Sequence, residues 1–284
     1  MHIVVYANLE KIQDKNVVRQ LVKILTDKGV SYSITSNSVG NFEGQTVGLL
    51  CDSIDRAEIL IVLGGDGTVL NAVKTIGERN IPLLCINLGT LGFLTEVEYD
   101  EIEYAISCVF QNRYTIEERS LLQITYENVS YFALNELVLS KGHNTRPIYI
   151  QVEYDGKLLD KYLADGLIVS TPTGSTAYSL SCGGPILGPD IKAIIVNTVC
   201  AHSLHSRPIV MADTHAITVS APELFMEADL VIDGQFICNV SKNKPIYVVK
   251  AKHSACFIKL KNEGFYDKLL KKLNYWGVTS VDKE

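Results

Sequence analysis

One apolar run constrains the fold more than any other part of the chain. Residues 57–63, AEILIVL, are apolar apart from Glu58, which is typical of a parallel strand buried on both faces of its sheet. The run leads into GGDGT (residues 64–68), and VLNAVKTI follows with apolar residues at helical spacing. A strand, a glycine-rich turn and a helix in this order predict a βαβ unit within an α/β domain.

The same alternation of strand and helix extends over residues 1–115. HIVVYAN, VSYSITS and IPLLCINL are predicted strands, and KNVVRQLVKILTDKG is a predicted helix that ends at Gly29, a residue common just after helices. Because helices separate the strands, the sheet is expected to be parallel. Residues 1–115 are therefore predicted to form an α/β domain that carries the GGDGT loop.

The pattern changes after Tyr114, where β-forming residues dominate. LLQITYENVSYFALNELVLS contains a predicted turn at Glu127–Asn128, and Asp-Gly pairs occur at 155–156, 165–166 and 233–234. An Asp-Gly pair between β-forming runs is a strong hairpin signal. Residues 116–258 are therefore predicted to form a mostly antiparallel, all-β domain.

The remaining residues, 259–284, form a predicted helical tail. NEGFYDKLLKKLNYWG has Leu269, Leu270, Leu273 and Trp276 near one face. A single apolar stripe usually packs on the protein's own core, so the helix is expected to dock there. Its lysines leave a membrane-surface helix as the alternative.

Composition limits the classes of function. The chain has 284 residues and a formal net charge of −6, which disfavours a nucleic acid partner, because phosphate backbones bind basic surfaces. No apolar run approaches the ~18 residues of a membrane span, and the start of the chain lacks the basic region of a signal peptide. Seven cysteines, an odd number without a CxxC pair, disfavour disulfides or zinc and favour the reducing cytoplasm.

The GGDGT loop has the composition of a phosphate-binding loop. Gly64, Gly65 and Gly67 let a ligand approach the backbone closely, and Thr68 lies where a helix start offers free N–H groups to phosphate. The loop also follows a parallel strand, where open α/β sheets bind ligands. No GxxxxGK[ST] occurs and GGDGTV does not fit GxGxxG, so the P-loop lysine and the dinucleotide fingerprint are both absent.

Asp66 is unexpected within such a loop, because a carboxylate repels phosphate at short range. Its presence is explained if it binds a magnesium ion that neutralises the phosphates, or if it acts as a base toward a hydroxyl that attacks a phosphoryl group. Both explanations indicate phosphoryl transfer onto an alcohol. The structural alternative is that Asp66 caps the helix N-terminus.

Two further motifs lie in the β-rich half. Asn135 and Glu136 stand side by side although both are poor strand formers, and their alternative is an exposed strand end. Residues 171–181, TPTGSTAYSLS, supply small hydrogen-bonding groups and one aromatic ring, which suits holding a nucleoside. Their alternative is a Ser/Thr-rich turn with a core tyrosine. His202 and His205 form an HxxH without an evident third ligand and are interpreted as structural.

GGDGT resembles a loop shared by NAD kinases, diacylglycerol and sphingosine kinases and the 6-phosphofructokinases. GGDGT, the Asn-Glu pair, TPTGSTAYSLS, HSLHSRPIV and IDGQF occur together in the order of the NAD kinase family, and this ordered set covers nearly the whole chain. Lipid kinases are similar to this chain only in GGDGT. A phosphofructokinase would need alternating strands and helices in both halves of the chain. A dinucleotide-binding sensor without turnover is the non-enzyme alternative, and the intact GGDGT argues against it.

The resemblance implies NAD as the acceptor, ATP or another phosphate donor, a divalent metal such as Mg²⁺, and a homodimer or homotetramer. It implies that Asp66 is the base that removes the proton from the 2′-hydroxyl of the adenosine ribose, and that Gly64, Gly65 and Thr68 bind phosphate. The residues implied to bind substrate are Gly67, Asn135, Glu136, Arg146, Asp165, Thr176, Ala177, Tyr178, Ser181 and Gln235.

Within that set, the resemblance places Asp165 on the nicotinamide side and the stretch from Thr176 to Ser181 against the adenosine. Asp165 and Asp233 are also Asp-Gly turn residues, so the alternative for both is that their side chains only shape hairpins.

Overall fold

The structure is a computed structural model that describes residues 1–9, 15–89, 92–203, 205–224, 227–261 and 264–272. The chain divides into two compact units. Unit 1 comprises residues 1–118 and 255–284, and unit 2 comprises residues 119–254. The N-terminal unit is therefore discontinuous in sequence and takes its last segment from the C-terminal end of the chain.

Unit 1 is an α/β domain, as predicted. Its sheet has the order β6-β5-β1-β2-β4-β3, and all neighbours on this path are parallel except β3 and β4. The strands are β1 (His2–Ala7), β2 (Ser31–Ser36), β3 (Gly40–Phe42), β4 (Gln45–Leu49), β5 (Ile59–Leu63), β6 (Leu83–Asn87) and β7 (Val97–Glu98). The helices are α1 (Asn16–Asp27), α2 (Leu50–Ser53), α3 (Asp66–Ile76) and α4 (Ile102–Phe110), with short 3₁₀ turns at Ile54–Arg56 and Tyr99–Glu101.

Burial explains these elements. Every residue of β5 and β6 is buried, as expected for central strands of a parallel sheet. Helix α1 buries four apolar residues at helical spacing. Gly29 follows its C-terminal end, and its φ of +65° allows the N–H of the next residue, Val30, to reach the Leu25 carbonyl oxygen at 3.1 Å. The predicted strands and helices of this unit are confirmed.

Unit 2 consists mainly of antiparallel strands. One sheet has the order β15-β14-β13-β10-β17-β18, and β12-β11-β16-β19 pair in another. The strands that lie wholly or largely in unit 2 are β8 (Thr115–Tyr126), β9 (Val129–Ala133), β10 (Glu136–Ser140), β11 (Ile148–Tyr154), β12 (Lys157–Ala164), β13 (Gly166–Ser170), β14 (Ala193–Val199), β15 (Ile209–Ala212), β16 (Ile217–Ser220), β17 (Ala228–Ile232), β18 (Gln235–Val240) and β19 (Ile246–Lys259). A 3₁₀ turn (Thr173–Thr176) and a short helix α5 (Tyr178–Ser181) follow β13.

Two of the three Asp-Gly pairs form the predicted hairpins. Asp155–Gly156 joins β11 to β12 and Asp233–Gly234 joins β17 to β18, with positive φ at both residues of each pair. The predicted turn at Glu127–Asn128 likewise has positive φ at both residues and joins β8 to β9.

The hairpin expected at Asp165–Gly166 is wrong. β12 pairs with β11, whereas β13 pairs with β10 and β14 in the other sheet. Neither residue has a positive φ. The glycine serves close packing instead, because a Cβ at Gly166 would lie 2.7 Å from the Leu139 carbonyl oxygen.

The helical residues 265–272 dock within unit 1, as predicted for the tail. Leu269 is buried, and the Lys268 ammonium donates to the Thr95 carbonyl oxygen at 2.8 Å. Leu270 is 58% exposed, so its expected place on the apolar face is wrong, because adjacent helical residues do not share a face. Leu273 and Trp276 lie outside the described residues. Within the described parts of the chain, none of the helices has the length and apolar character that crossing a membrane requires.

Candidate active site

The GGDGT loop joins β5 to α3 in unit 1. Gly64 is required by sterics, because a Cβ there would lie 2.4 Å from Thr68 Oγ1. A Cβ at Gly65 or Gly67 would meet no atom within 4 Å, so the backbone at these positions is open to a ligand. Helix α3 begins at Asp66, and the Thr68 N–H already donates to the Gly65 carbonyl oxygen at 2.9 Å. The N–H groups of Asp66 and Gly67 are therefore the ones that this helix start offers to a ligand.

Asp66 does not cap its own helix. The N-cap residue is Gly65, without a side-chain cap, and the N-cap alternative for Asp66 is therefore wrong. Its carboxylate accepts the backbone N–H groups of Phe93 at 2.9 Å and Leu94 at 3.0 Å. A Cβ at Gly92 would lie 2.2 Å from Asp66 Oδ1, so residues 92–94 wrap closely around the carboxylate and fix its orientation.

A lysine from the C-terminal segment contacts Phe93, one of the residues that wrap around Asp66. The Lys272 ammonium lies 4.0 Å from the centroid of the Phe93 ring. Burial lowers the pKa of Lys272, and the charge of Asp66 acts in the opposite direction. Sequence reasoning missed Lys272, because more than 200 residues separate it from Asp66 and no local motif marks it.

In unit 2, Asp233 organises the backbone of the Asn135–Glu136 motif. Its carboxylate accepts the N–H groups of Leu134 at 2.9 Å, Asn135 at 2.8 Å and Glu136 at 3.1 Å. The Asn135 carbonyl oxygen in turn accepts the N–H of Thr171 at 2.9 Å. Asp233 is thus a hairpin residue whose carboxylate also fixes the backbone of the Asn135–Glu136 motif. Its structural role therefore extends beyond its own turn.

Glu136 opens β10 but is only 5% exposed, so the exposed strand end is wrong for this residue. Burial, together with the charge of Asp233, raises the pKa of Glu136 to about 8, although the backbone N–H of Tyr178 opposes the shift. Glu136 Oε2 is buried and has no hydrogen-bond partner. A buried polar atom of this kind usually takes a hydrogen bond from a water molecule or a ligand group.

A cavity of about 270 Å³ opens beside Glu136. Tyr178 lines it with a side chain that is 43% exposed, so the core-tyrosine alternative is wrong. Burial raises the pKa of the Tyr178 hydroxyl. The described lining residues are Glu136, Val138, Ser140, Asp165, Gly166, Tyr178, Val199, Val231 and Gly234. The structure therefore brings three of the predicted substrate residues, Glu136, Asp165 and Tyr178, to one cavity.

Asp165 is paired with a residue that the sequence did not single out. Its Oδ1 lies 2.9 Å from the Lys141 ammonium, and the two side chains are each about one-third exposed (31% and 28%). The Lys141 N–H also donates to the Asp165 carbonyl oxygen at 2.8 Å. Lys141 therefore holds Asp165 at the edge of the cavity.

The other predicted substrate residues of unit 2 are not among the described lining residues. Thr176 Oγ1 donates to the Thr173 carbonyl oxygen at 3.2 Å, and the Ala177 N–H donates to Gly174 at 2.9 Å, so both belong to the turn that presents Tyr178. The side chains of Arg146, Ser181 and Gln235 are exposed, and Asn135 contributes backbone contacts. Their roles toward a substrate stay predictions.

The two histidines of the HxxH motif are exposed. Among the described residues, no group of three or more His, Cys, Asp or Glu side chains is arranged to hold a metal ion. All seven cysteines are free thiols.

Two family models match most of the chain. The ATP-NAD kinase N-terminal domain matches residues 3–114, and the ATP-NAD kinase C-terminal domain matches residues 134–260. The NAD kinase of Moorella thermoacetica is 36% identical over 281 residues, which are 98% of this chain and 90% of that protein.

Two solved structures share the fold. The structure of yeast NADH kinase complexed with NADH superposes with a TM-score of 0.87 at 23% identity, covering 97% of this chain and 88% of the other. The NAD kinase from Archaeoglobus fulgidus in complex with ATP gives a TM-score of 0.78 at 23% identity, covering 96% and 99%.

The chain combines an α/β unit that carries a GGDGT loop with an antiparallel β unit that has an acidic, tyrosine-lined cavity, and both family models that match it describe kinase domains. The sequence matches make the family specific. The chain belongs to the ATP-NAD kinase family.

Proposed function

We infer that the protein is an NAD kinase, which transfers a phosphoryl group from ATP to NAD and produces NADP. We further propose that the acceptor is the 2′-hydroxyl of the adenosine ribose and that Asp66 is the general base. Family membership supports the overall reaction, and the structure of the GGDGT loop supports the assignment of the base.

The observation that carries the assignment is the pair of hydrogen bonds from Phe93 and Leu94 to Asp66. A carboxylate has about four acceptor positions on its two oxygens, so two backbone donors orient Asp66 and leave acceptor capacity for a substrate hydroxyl. The adjacent helix start and open glycines would hold the phosphates. Phosphoryl transfer depends on such positioning and electrostatics more than on covalent chemistry.

We assign the cavity of unit 2 to part of the dinucleotide. Tyr178 offers a partly exposed ring for contact with the adenosine, and the turn containing Thr176 and Ala177 presents that ring. The orphaned oxygen of Glu136 and the carboxylate of Asp165 supply polar groups for ribose or amide contacts. Asn135, Arg146, Ser181 and Gln235 complete the proposed substrate set, together with Gly67 of the phosphate loop.

Magnesium is proposed as the metal. The described residues lack a cluster of three metal ligands, and Mg²⁺ commonly binds through substrate phosphates, water and one or two carboxylates. Asp66 is the carboxylate within the loop that would face such an ion. When bound, the ion would neutralise phosphate charge and thereby reduce the repulsion between the donor and Asp66.

We also propose a homodimer or homotetramer in the cytoplasm. In support, Tyr149, Leu158 and Tyr247 on the β12-β11-β16-β19 sheet are each about half exposed (49%, 55% and 53%). Contiguous apolar patches are typical of contact surfaces, and the strand register places Leu158 and Tyr247 in one row across this sheet. The free state of all seven thiols agrees with a reducing compartment.

A coupled assay for NADP formation tests the function, with NAD, NADP and nicotinamide mononucleotide as acceptors. The phosphate donor should be consumed only when NAD is the acceptor, because the mononucleotide lacks the adenosine ribose and NADP already carries the 2′-phosphate. Phosphorus NMR of the product should place the new phosphate on the adenosine ribose. No turnover with any acceptor would favour the sensor, and sedimentation with lipid vesicles would favour the lipid kinase.

Replacing Asp66 by Asn tests the mechanism. Loss of a general base lowers turnover by about 10²–10⁴-fold, while the NAD dissociation constant, measured by calorimetry, should change little. Asn keeps the shape of the side chain but only one of the two acceptors that Phe93 and Leu94 use, so the melting temperature of the variant is measured alongside its turnover. Near-normal turnover in the Asp66→Asn variant would refute the role of Asp66 as base.

A further inference from the structure

The GGDGT loop contains no cationic side chain, although it is proposed to bind a highly charged phosphate donor. The P-loop lysine is absent from the sequence, and the one charged residue of GGDGT is Asp66, which is negative. Backbone N–H groups and a helix dipole supply only partial positive charges. The loop therefore needs a full positive charge from elsewhere in the chain or from a bound ion.

The C-terminal segment of unit 1 brings a lysine to this place. Helical residues 265–272 are anchored by Lys268, which is buried and donates to the Thr95 carbonyl oxygen at 2.8 Å and to Glu96 at 3.0 Å. Lys272 follows Lys268 by four residues, so the two side chains lie on the same face of the helix. This face is therefore turned toward the segment that follows residues 92–94.

Phe93 connects Lys272 to Asp66. The Phe93 N–H donates to the Asp66 carboxylate at 2.9 Å, while the ring of the same residue lies 4.0 Å from the Lys272 ammonium. Phe265, from the same helical segment, packs against Phe93 with ring centroids 6.3 Å apart. Lys272 is only partly exposed and is electrostatically coupled to Asp66. Its neighbour Lys271 is exposed.

We propose that Lys272 contacts the polyphosphate of the donor at the GGDGT loop and supplies the positive charge that the loop lacks. The Phe93 ring attracts the Lys272 ammonium and so positions this cation before the donor binds. The inference rests on the proposed phosphoryl-transfer site, and it adds a donor-binding residue to that site.

The test compares Lys272→Met with Lys272→Arg and with the matched control Lys271→Met. ATP is titrated by calorimetry into each variant, and the Michaelis constants for ATP and NAD are measured separately. A charge-assisted hydrogen bond is worth a factor of roughly 10 to 100 in affinity. Lys272→Met should weaken ATP binding by that factor, Lys272→Arg should restore most of it, and Lys271→Met and the NAD dissociation constant should not change.

Salt dependence separates a phosphate contact from a structural role. Salt weakens the attraction between two charges by screening it. If Lys272 contacts phosphate, removal of its charge should therefore make ATP affinity less dependent on salt concentration. If Lys272→Met binds ATP as tightly as Lys271→Met does, or weakens ATP and NAD equally with an unchanged salt dependence, the proposal is overturned. Turnover of the unmodified enzyme is measured alongside, so a failure of the proposed function is recognised separately.

Discussion

Glu136 provides a quantitative test of the unit 2 site. Its pKa lies at about 8, against an ordinary value of 4.5, chiefly because burial disfavours the carboxylate. An acid with a raised pKa binds its proton more tightly in the folded protein than in the unfolded chain. Its contribution to stability is fully present below pH 4.5 and is lost as the pH rises to about 8.

The magnitude follows from the same pKa. One pH unit within this window changes the free energy of unfolding by about 1.4 kcal/mol. Between pH 6 and pH 9 the wild-type protein should therefore lose about 2–3 kcal/mol through Glu136, since the loss stops near pH 8. In Glu136→Gln this loss of stability is absent, because the amide does not titrate. Relative to the wild type, the free energy of unfolding of the variant should therefore rise by the same amount between pH 6 and pH 9.

The assay is urea unfolding followed by circular dichroism at pH 6, 7, 8 and 9. All other groups titrate in both proteins, so the difference between their pH profiles isolates Glu136. Glu223→Gln is the control, because Glu223 is an exposed carboxylate of the same unit. Carbon NMR of labelled glutamate side chains gives the pKa directly. Parallel stability profiles for Glu136→Gln and wild type, or a measured pKa near 4.5, would refute the reasoning.

Two further predictions concern the ligand loops. Tyr178→Ala should weaken NAD binding by roughly 1–3 kcal/mol, the range of ring–base contacts, and calorimetry on a variant with unchanged melting temperature would show it; an unchanged dissociation constant would remove Tyr178 from the site. Gly64→Ala should destabilise unit 1 by about 1–3 kcal/mol, because the new methyl group would lie 2.4 Å from Thr68 Oγ1. Gly65→Ala, whose Cβ meets no atom within 4 Å, is the matched control in urea unfolding, and equal stability of the two variants would contradict the steric argument.

The fold could be predicted from the sequence wherever the signal was local. The apolar run of β5 predicted a strand buried on both faces, and every residue of β5 is buried. The Asp233–Gly234 pair predicted a hairpin, and both residues have the positive φ of such a turn. The hairpin predicted from the same dipeptide at residues 165–166 was wrong, because a glycine is also favoured where two strands approach closely. The dipeptide alone does not distinguish these two uses of glycine.

The site was predictable only in part, because its supporting contacts are distant in sequence. The motifs identified Glu136 and Tyr178, but not the pairing of Lys141 with Asp165 or the approach of Lys272 to Phe93. When a helix contains several lysines, its sequence does not indicate which residue each lysine contacts. Only the folded chain shows which of them is turned inward.

The discontinuous unit 1 has a consequence for folding during synthesis. N-terminal domains generally fold first as the chain emerges from the ribosome, but here β6 pairs with the end of β19, and Glu96 pairs with Lys259 and Lys268. Until those residues are made, Glu96 would be a buried charge without its lysines, a state that costs about 3–5 kcal/mol. The α/β unit is therefore expected to complete its folding only after residues 255–268 have been synthesised, and by then the whole of unit 2, residues 119–254, has already been made.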